Sequence, residues 1–267
     1  MKIKLCTLIL PRLEVFFLEE WIEHNLRLGV DEIYIYENGL ISHDESDYIL
    51  DEGVRGTTWA KKPKADYFLD YTDEQIYDKL NEVVGKFPNV YLKEWHCMYK
   101  GPGKPGDVLF DKVDGQLSAM KDCTWRNSTG RGKDWWLFCD PDEYFILKQH
   151  NDFHEFVNSY DERVSCFYFH QRVFGERTRF LSVRDIRNWG YDLDLPKPLI
   201  VDKIKTYDVH TPTPVNGHLV RVPTEVAMYH HYRGFPSDQG GDAHRIKEFM
   251  ESKFEAVDSG MQRYLMK

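Results

Sequence analysis

Asp140, Asp142 and Glu143 put three carboxylates within four residues, directly after the apolar run Trp135-Trp136-Leu137-Phe138-Cys139. Carboxylates this close repel one another unless a cation or a proton compensates. A divalent ion meets that need, and Pro141 fixes a bend across which one ion can reach both Asp140 and Asp142. Hard Mn²⁺ or Mg²⁺ takes such oxygen ligands and keeps positions open for phosphates. A lone Asp-x-Asp is common by chance, and a solvated, helix-capping turn is the competing reading. What favours a site is its place where a buried-type strand ends. A second cluster, His230-His231-Tyr232-Arg233, follows the strand-like Glu225 to Tyr229. There an imidazole would complete a metal shell and an arginine would hold a diphosphate in two-pronged fashion, although an isolated histidine is more often a hydrogen-bonded core residue.

The elements needed to position these groups follow from periodicity. Residues 3–10 form an apolar run ending at Pro11, and Glu14 to Leu28 carries helical spacing closed by Gly29. Asp31 to Tyr36 reads as a second strand, stopped by Asn38-Gly39. A short helix from about His43 to Leu50, a strand near Val54 to Trp59, an amphipathic helix over 70–86 and a strand from Val90 to Trp95 continue the alternation. Tyr99 to Asp107 is a Gly/Pro connector, and helical spacing resumes from Phe110 to Trp125. The pattern predicts an α/β domain with a mainly parallel central sheet flanked by helices, whose ligands lie at the carboxyl ends of strands. After Glu143 short strands, aromatic turns and a helix from about Asp242 to Ala256 are expected. One domain over 1–267 is the simplest organisation, with 1–145 as the nucleotide and metal half and 146–267 as the acceptor-facing half.

Composition narrows the classes. The 267 residues carry 44 acidic against 35 basic side chains, a net charge of −9, which argues against a surface built for nucleic-acid phosphates. Five cysteines (Cys6, Cys97, Cys123, Cys139, Cys166) form no Cys-x-x-Cys pair and fit a reducing, cytoplasmic setting. The N-terminal apolar run is too short to span a bilayer, so no integral membrane segment is expected. Aromatic residues, 15% of the chain, suit sugar faces as well as cores. A metal-dependent nucleotidyltransferase or phosphohydrolase is the alternative enzyme class, weakened by the absence of Gly-x-x-x-x-Gly-Lys-[Ser/Thr]. A non-catalytic carbohydrate-binding protein would explain the aromatics but would not need a long parallel α/β half.

An ordered set of motifs resembles glycosyltransferase family 92 and its relatives of the GT-A superfamily. The set runs from Glu20-Trp21-Ile22-Glu23-His24-Asn25, through Leu28 to Asn38, Gln116-Leu117-Ser118-Ala119 with Cys123, and Trp136 to Phe145, to Val173-Phe174-Gly175, Lys203-Ile204 and His231-Tyr232-Arg233. The compact form also looks like enzymes of large algal viruses that decorate capsid glycans. Pro11-Arg12-Leu13 and Glu176-Arg177 depart from the pattern. The resemblance implies a GT-A nucleotide-sugar-binding fold and an inverting transfer from a nucleotide sugar, usually a UDP-sugar, to a carbohydrate hydroxyl of a glycan, with Mn²⁺ (or Mg²⁺) as cofactor. It assigns Asp140, Asp142 and His231 to the metal. Donor contacts are expected at Leu10, Arg12, Glu37, Asn38, Gln116, Asp140, Lys203 and Arg233. For the base that deprotonates the acceptor, Glu176, after an aromatic-Gly turn, comes first and Asp208 second.

Overall fold

The structure is a computed structural model that describes residues 1–38, 71–95, 115–129, 133–174 and 189–232, the side chains of 12, 13 and 189–194 excepted. The expected helices over 43–50 and 242–256, the strand over 54–59, the connector over 99–107, Cys97, Glu176 and Arg233 lie outside the described residues.

In chain order the elements are β1 (Ile3–Ile9), α1 (Pro11–Arg27), β2 (Glu32–Glu37), α2 (Asp73–Gly85), β3 (Val90–Glu94) and α3 (Gly115–Asn127). There follow β4 (Trp135–Phe138), β5 (Glu143–Leu147), α4 (Phe153–Asn158), β6 (Val164–Phe174) and β7 (Trp189–Val201). Last come β8 (Ile204–Thr206), β9 (Thr213–Pro214), β10 (His218–Arg221) and β11 (Ala227–Tyr232). Local chemistry explains the helix ends. Pro11 supplies a preset φ where no amide donor is needed, and the Leu10 amide donates to Glu14 Oε2 at 2.6 Å. Gly29 (φ +83°) ends the helix in the left-handed conformation, where a Cβ would also press on Asp152 at 3.0 Å. In α2, Thr72 and Gln75 form a reciprocal capping box, and Ile76, Leu80 and Val83 make its buried stripe.

Nine strands form one sheet in the order β3-β2-β1-β4-β7-β6-β11-β5, with β10 added beside β6. The strands β3, β2, β1 and β4 are mutually parallel. Beyond them β7 runs antiparallel to both β4 and β6, β11 is parallel to β6, and β5 is antiparallel to β11. The sheet is therefore parallel in its first half and mixed in its second. Strand alternation sends β1 side chains to two cores. Leu5 and Ile9 join α1, α2 and α4 on one face, while Cys6 and Leu8 pack with Trp136, Phe138 and the α3 residues Leu117, Met120 and Cys123 on the other. Short strands are expected after Glu143, and β8, β9 and β10 have 3, 2 and 4 residues, but β6 and β7 depart from that expectation with 11 and 13. Pro196 and Pro198 lie within β7, where the chain stays extended and accommodates them by a register shift. Phe169 pairs with Lys197 and Gln171 with Leu193, so four steps on β7 face two on β6. Among the described residues no helix is long and apolar enough to cross a membrane, and Cys6, Cys123, Cys139 and Cys166 are buried thiols.

Candidate metal and donor site

From β1 the chain crosses through α1 to β2 on one side, and from β3 it returns through α3 to β4 on the other side of β1. The order reverses between β1 and β4. Crevices open outside the carboxyl ends of strands at such a point, and the acidic segment begins there. Asp140 to Glu143 is a tight turn with Pro141 at its second position: the Glu143 amide donates to the Asp140 carbonyl at 3.0 Å. Glu143 Oε2 in turn accepts from the Asp140 amide at 2.8 Å.

Three strands aim side chains at this turn. His231 of β11 pairs in register with Glu143 of β5, and its Nε2 lies 3.1 Å from Asp142 Oδ2. Its Nδ1 is 3.9 Å from Glu143 Oε1 and contacts Gln171 Nε2 of β6. The Tyr232 amide donates to the Asp142 carbonyl at 2.8 Å, tying β11 to the turn. One ligand atom each from Asp142, Glu143 and His231 falls within 4.8 Å of the others. From β7, Lys197 Nζ lies 3.1 Å from Asp140 Oδ2 and 2.9 Å from Glu143 Oε2, while Gln116 Nε2 of α3 donates to Asp140 Oδ1 at 3.1 Å. Helix α1 braces the far side: Trp21 Nε1 donates to the Glu143 carbonyl at 3.0 Å, and His24 Nε2 donates to the Phe145 carbonyl at 2.9 Å. The Trp and His of the Glu-Trp-Ile-Glu-His-Asn motif thus hold the backbone that carries the carboxylates.

Glu143 and Lys197 are 1% and 2% exposed. Burial pushes the Glu143 carboxyl up to about 7; Lys197 and His231 oppose the shift, and Asp140 and Asp142 add to it. Burial pulls against the Lys197 ammonium, yet Asp140 and Glu143 hold its pKa well above the ordinary value, so it stays charged. A cleft beside the turn is lined by Thr7, Gln116, Met120, Asp140, Lys197 and Val209.

The structure brings together Asp140, Asp142, His231 and Gln116 from the expected set. Within the acidic segment Asp140 is engaged by Lys197 and Gln116, and Glu143, which also meets Lys197, lies beside Asp142 and His231. The other cation is also different. Lys203 follows β7, which runs antiparallel to β4, so it sits beyond the amino end of β4, where the Asp202 amide meets the Asp134 carbonyl. Strand direction excludes it from the cluster, and Lys197 stands there instead. A single lysine inside the apolar run Leu195 to Val201 was the available signal. Leu10, Glu37 and Asn38 lie at the carboxyl ends of β1 and β2, on the same sheet edge as the cluster, with Glu37 and Asn38 buried. Arg12 falls in the first turn of α1, its side chain outside the described residues. Asp208 Oδ1 accepts from the amides of His210 (2.8 Å) and Thr211 (2.7 Å), shaping the loop that brings Val209 to the cleft. His230 is buried against Phe174 and Tyr232. Comparison with protein-family models gives no match, and comparison with curated proteins gives none either.

Proposed function

We propose that the chain is a divalent-metal-dependent inverting glycosyltransferase of the GT-A type, taking its donor from a nucleotide sugar, most readily a UDP-sugar, and passing it to a carbohydrate hydroxyl. One observation carries the reading: two carboxylates and an imidazole converge from the turn before β5, the start of β5 and β11 at the carboxyl edge of a sheet whose strand order reverses beside them. The donor set fits the ion, since two hard oxygens and one imidazole nitrogen suit Mn²⁺ or Mg²⁺. Bound to Asp142, Glu143 and His231, a divalent ion supplies neutralisation of the charge that develops on a departing nucleoside diphosphate. The chain's own contribution is positioning and field. Lys197 is a buried cation at the cleft wall, where low polarisability of the surroundings strengthens its pull on phosphate oxygens. Gln116 and Lys197 orient Asp140 from two sides. The acceptor proton goes to a carboxylate opposite the leaving group, for which Glu176 and Asp208 remain the candidates.

The test pairs a panel of UDP-, GDP- and CDP-sugars with a glycan acceptor, with and without Mn²⁺. Mn²⁺-dependent turnover, tighter binding of UDP than of GDP or CDP by calorimetry, and a product anomeric proton of opposite configuration to the donor are expected. A retained configuration would overturn inversion, and a GDP preference would overturn the uridine assignment. Metal-dependent hydrolysis of nucleotides without sugar transfer would move the chain to the phosphohydrolase class.

A further inference from the structure

Gln171 contributes a buried amide to the edge of the carboxylate cluster, and half of that amide is unmatched. It sits in β6, 2% exposed. Its Nε2 meets His231 Nδ1, whereas its Oε1 is buried with no hydrogen-bond partner among the described residues. Register explains the meeting. Gln171 pairs with Tyr229 and Val173 with His231 across parallel strands, so Gln171 and His231 share a sheet face two residues apart.

The two ends of the amide impose opposite states on the ring. With Nε2–H donating to Nδ1, the neutral imidazole carries its proton on Nε2 and donates it to Asp142 Oδ2, 3.1 Å away. That tautomer has no lone pair facing Asp142, its Nδ1 lone pair being taken by the amide, and cannot ligate a cation through Nε2. Turning the amide by half a revolution puts Oε1 against Nδ1, which must then carry the proton. The Nε2 lone pair then faces Asp142 Oδ2. The turn needs no backbone movement and no change of charge, and one amide atom lacks a partner in either orientation, so the cost of the orphan is similar in both. The choice is left to whatever faces Nε2.

We infer that Gln171 is a positioning residue that selects the His231 tautomer: amide nitrogen to Nδ1 without a cation, amide oxygen to Nδ1 with one. This rests on the metal reading proposed above. Outer partners that hold the second nitrogen of a ligating histidine typically alter metal affinity about 10–100-fold. A glutamine can serve both states, a glutamate only the metal-ready one, and a leucine neither.

The experiment uses the whole chain without nucleotide. Mn²⁺ affinity is read by the EPR signal of unbound Mn²⁺, the His231 ring nitrogens by ¹⁵N NMR during a Mg²⁺ titration, and folding by thermal melts without metal. In the wild type the proton should move from Nε2 to Nδ1 as Mg²⁺ binds. Gln171→Leu should weaken Mn²⁺ about 10–100-fold while melting near the wild-type temperature. Gln171→Glu should retain at least wild-type affinity and show Nδ1–H with or without Mg²⁺. The inference fails if the wild-type ring keeps one tautomer throughout the titration, an outcome that does not depend on any variant folding. It fails equally if Gln171→Leu binds Mn²⁺ as the wild type does while His231→Ala loses binding. If His231→Ala and Asp142→Asn both bind Mn²⁺ normally, the metal reading itself falls and takes this inference with it.

Discussion

Two buried lysines, Lys4 and Lys197, sit at opposite ends of the same sheet, each between two carboxylates. Lys4 Nζ lies 2.8 Å from Asp134 Oδ2 and 4.0 Å from Glu32 Oε2, and donates to the Asn127 carbonyl at 2.6 Å. Glu32 is shared with Lys2 and the Tyr34 hydroxyl. There the charges balance. Burial alone would raise the Asp134 carboxyl, but Lys4, the Lys2 amide and Thr129 hold it below its ordinary value. At the carboxyl end Lys197 meets Asp140 and Glu143, and burial of Glu143 wins, raising it to about 7. The same residue types hold a carboxyl below its ordinary value in one place and leave one above it in the other. Buried ion pairs by themselves are weak indicators of function; the direction of the carboxyl shift is what separates the two ends.

The contrast is open to test. The largest effect is expected for Asp142→Asn, which should lower turnover about 10³-fold, or about 4 kcal/mol in barrier, and abolish Mn²⁺-dependent UDP binding. Its melting without metal should not fall, because one like charge has been removed; wild-type turnover at the same Mn²⁺ concentration would dismiss the acidic turn as a site. Lys4→Met should come next, losing about 3–4 kcal/mol in urea unfolding because Asp134 is left buried without its cation, and the loss should be the same with and without Mn²⁺. Lys197→Met should behave differently, with much of its loss recovered in saturating Mn²⁺, since a ligand held only by the folded state raises stability. Equal losses under both conditions would make Lys197 as structural as Lys4.

The smallest effect concerns pH. Burial, reinforced by the Lys197 charge, pulls the His210 ring down to about 4. A depressed histidine favours the folded state fully above its ordinary value near 6.5, and that contribution disappears as pH falls through about 4. With allowance for partial exposure it amounts to about 2 kcal/mol. The stability gap between wild type and His210→Gln should therefore shrink from pH 7 to pH 4, and a gap that widens instead would contradict the assignment. In Lys197→Met the His210 titration, followed by NMR, should move upward.

Sequence alone determined the strand and helix alternation of residues 1–38 and 71–95, because apolar periodicity and caps such as Pro11, Gly29 and Thr72-x-x-Gln75 are local signals. It also marked Asp140, Asp142 and His231, since unusual residue types at a strand end are visible without coordinates. What it could not decide was strand direction in the second half, and with it which lysine reaches the carboxylates. Lys197 and Lys203 are six positions apart in one stretch, and only the antiparallel placement of β7 against β4 assigns one to the site and the other to the opposite edge. The placing of Glu143 beside Asp142 and His231, and the approach of Gln171 to His231 from a separate strand, were likewise settled by tertiary pairing. Register brings residues 60 positions apart into contact, and no local pattern encodes that distance.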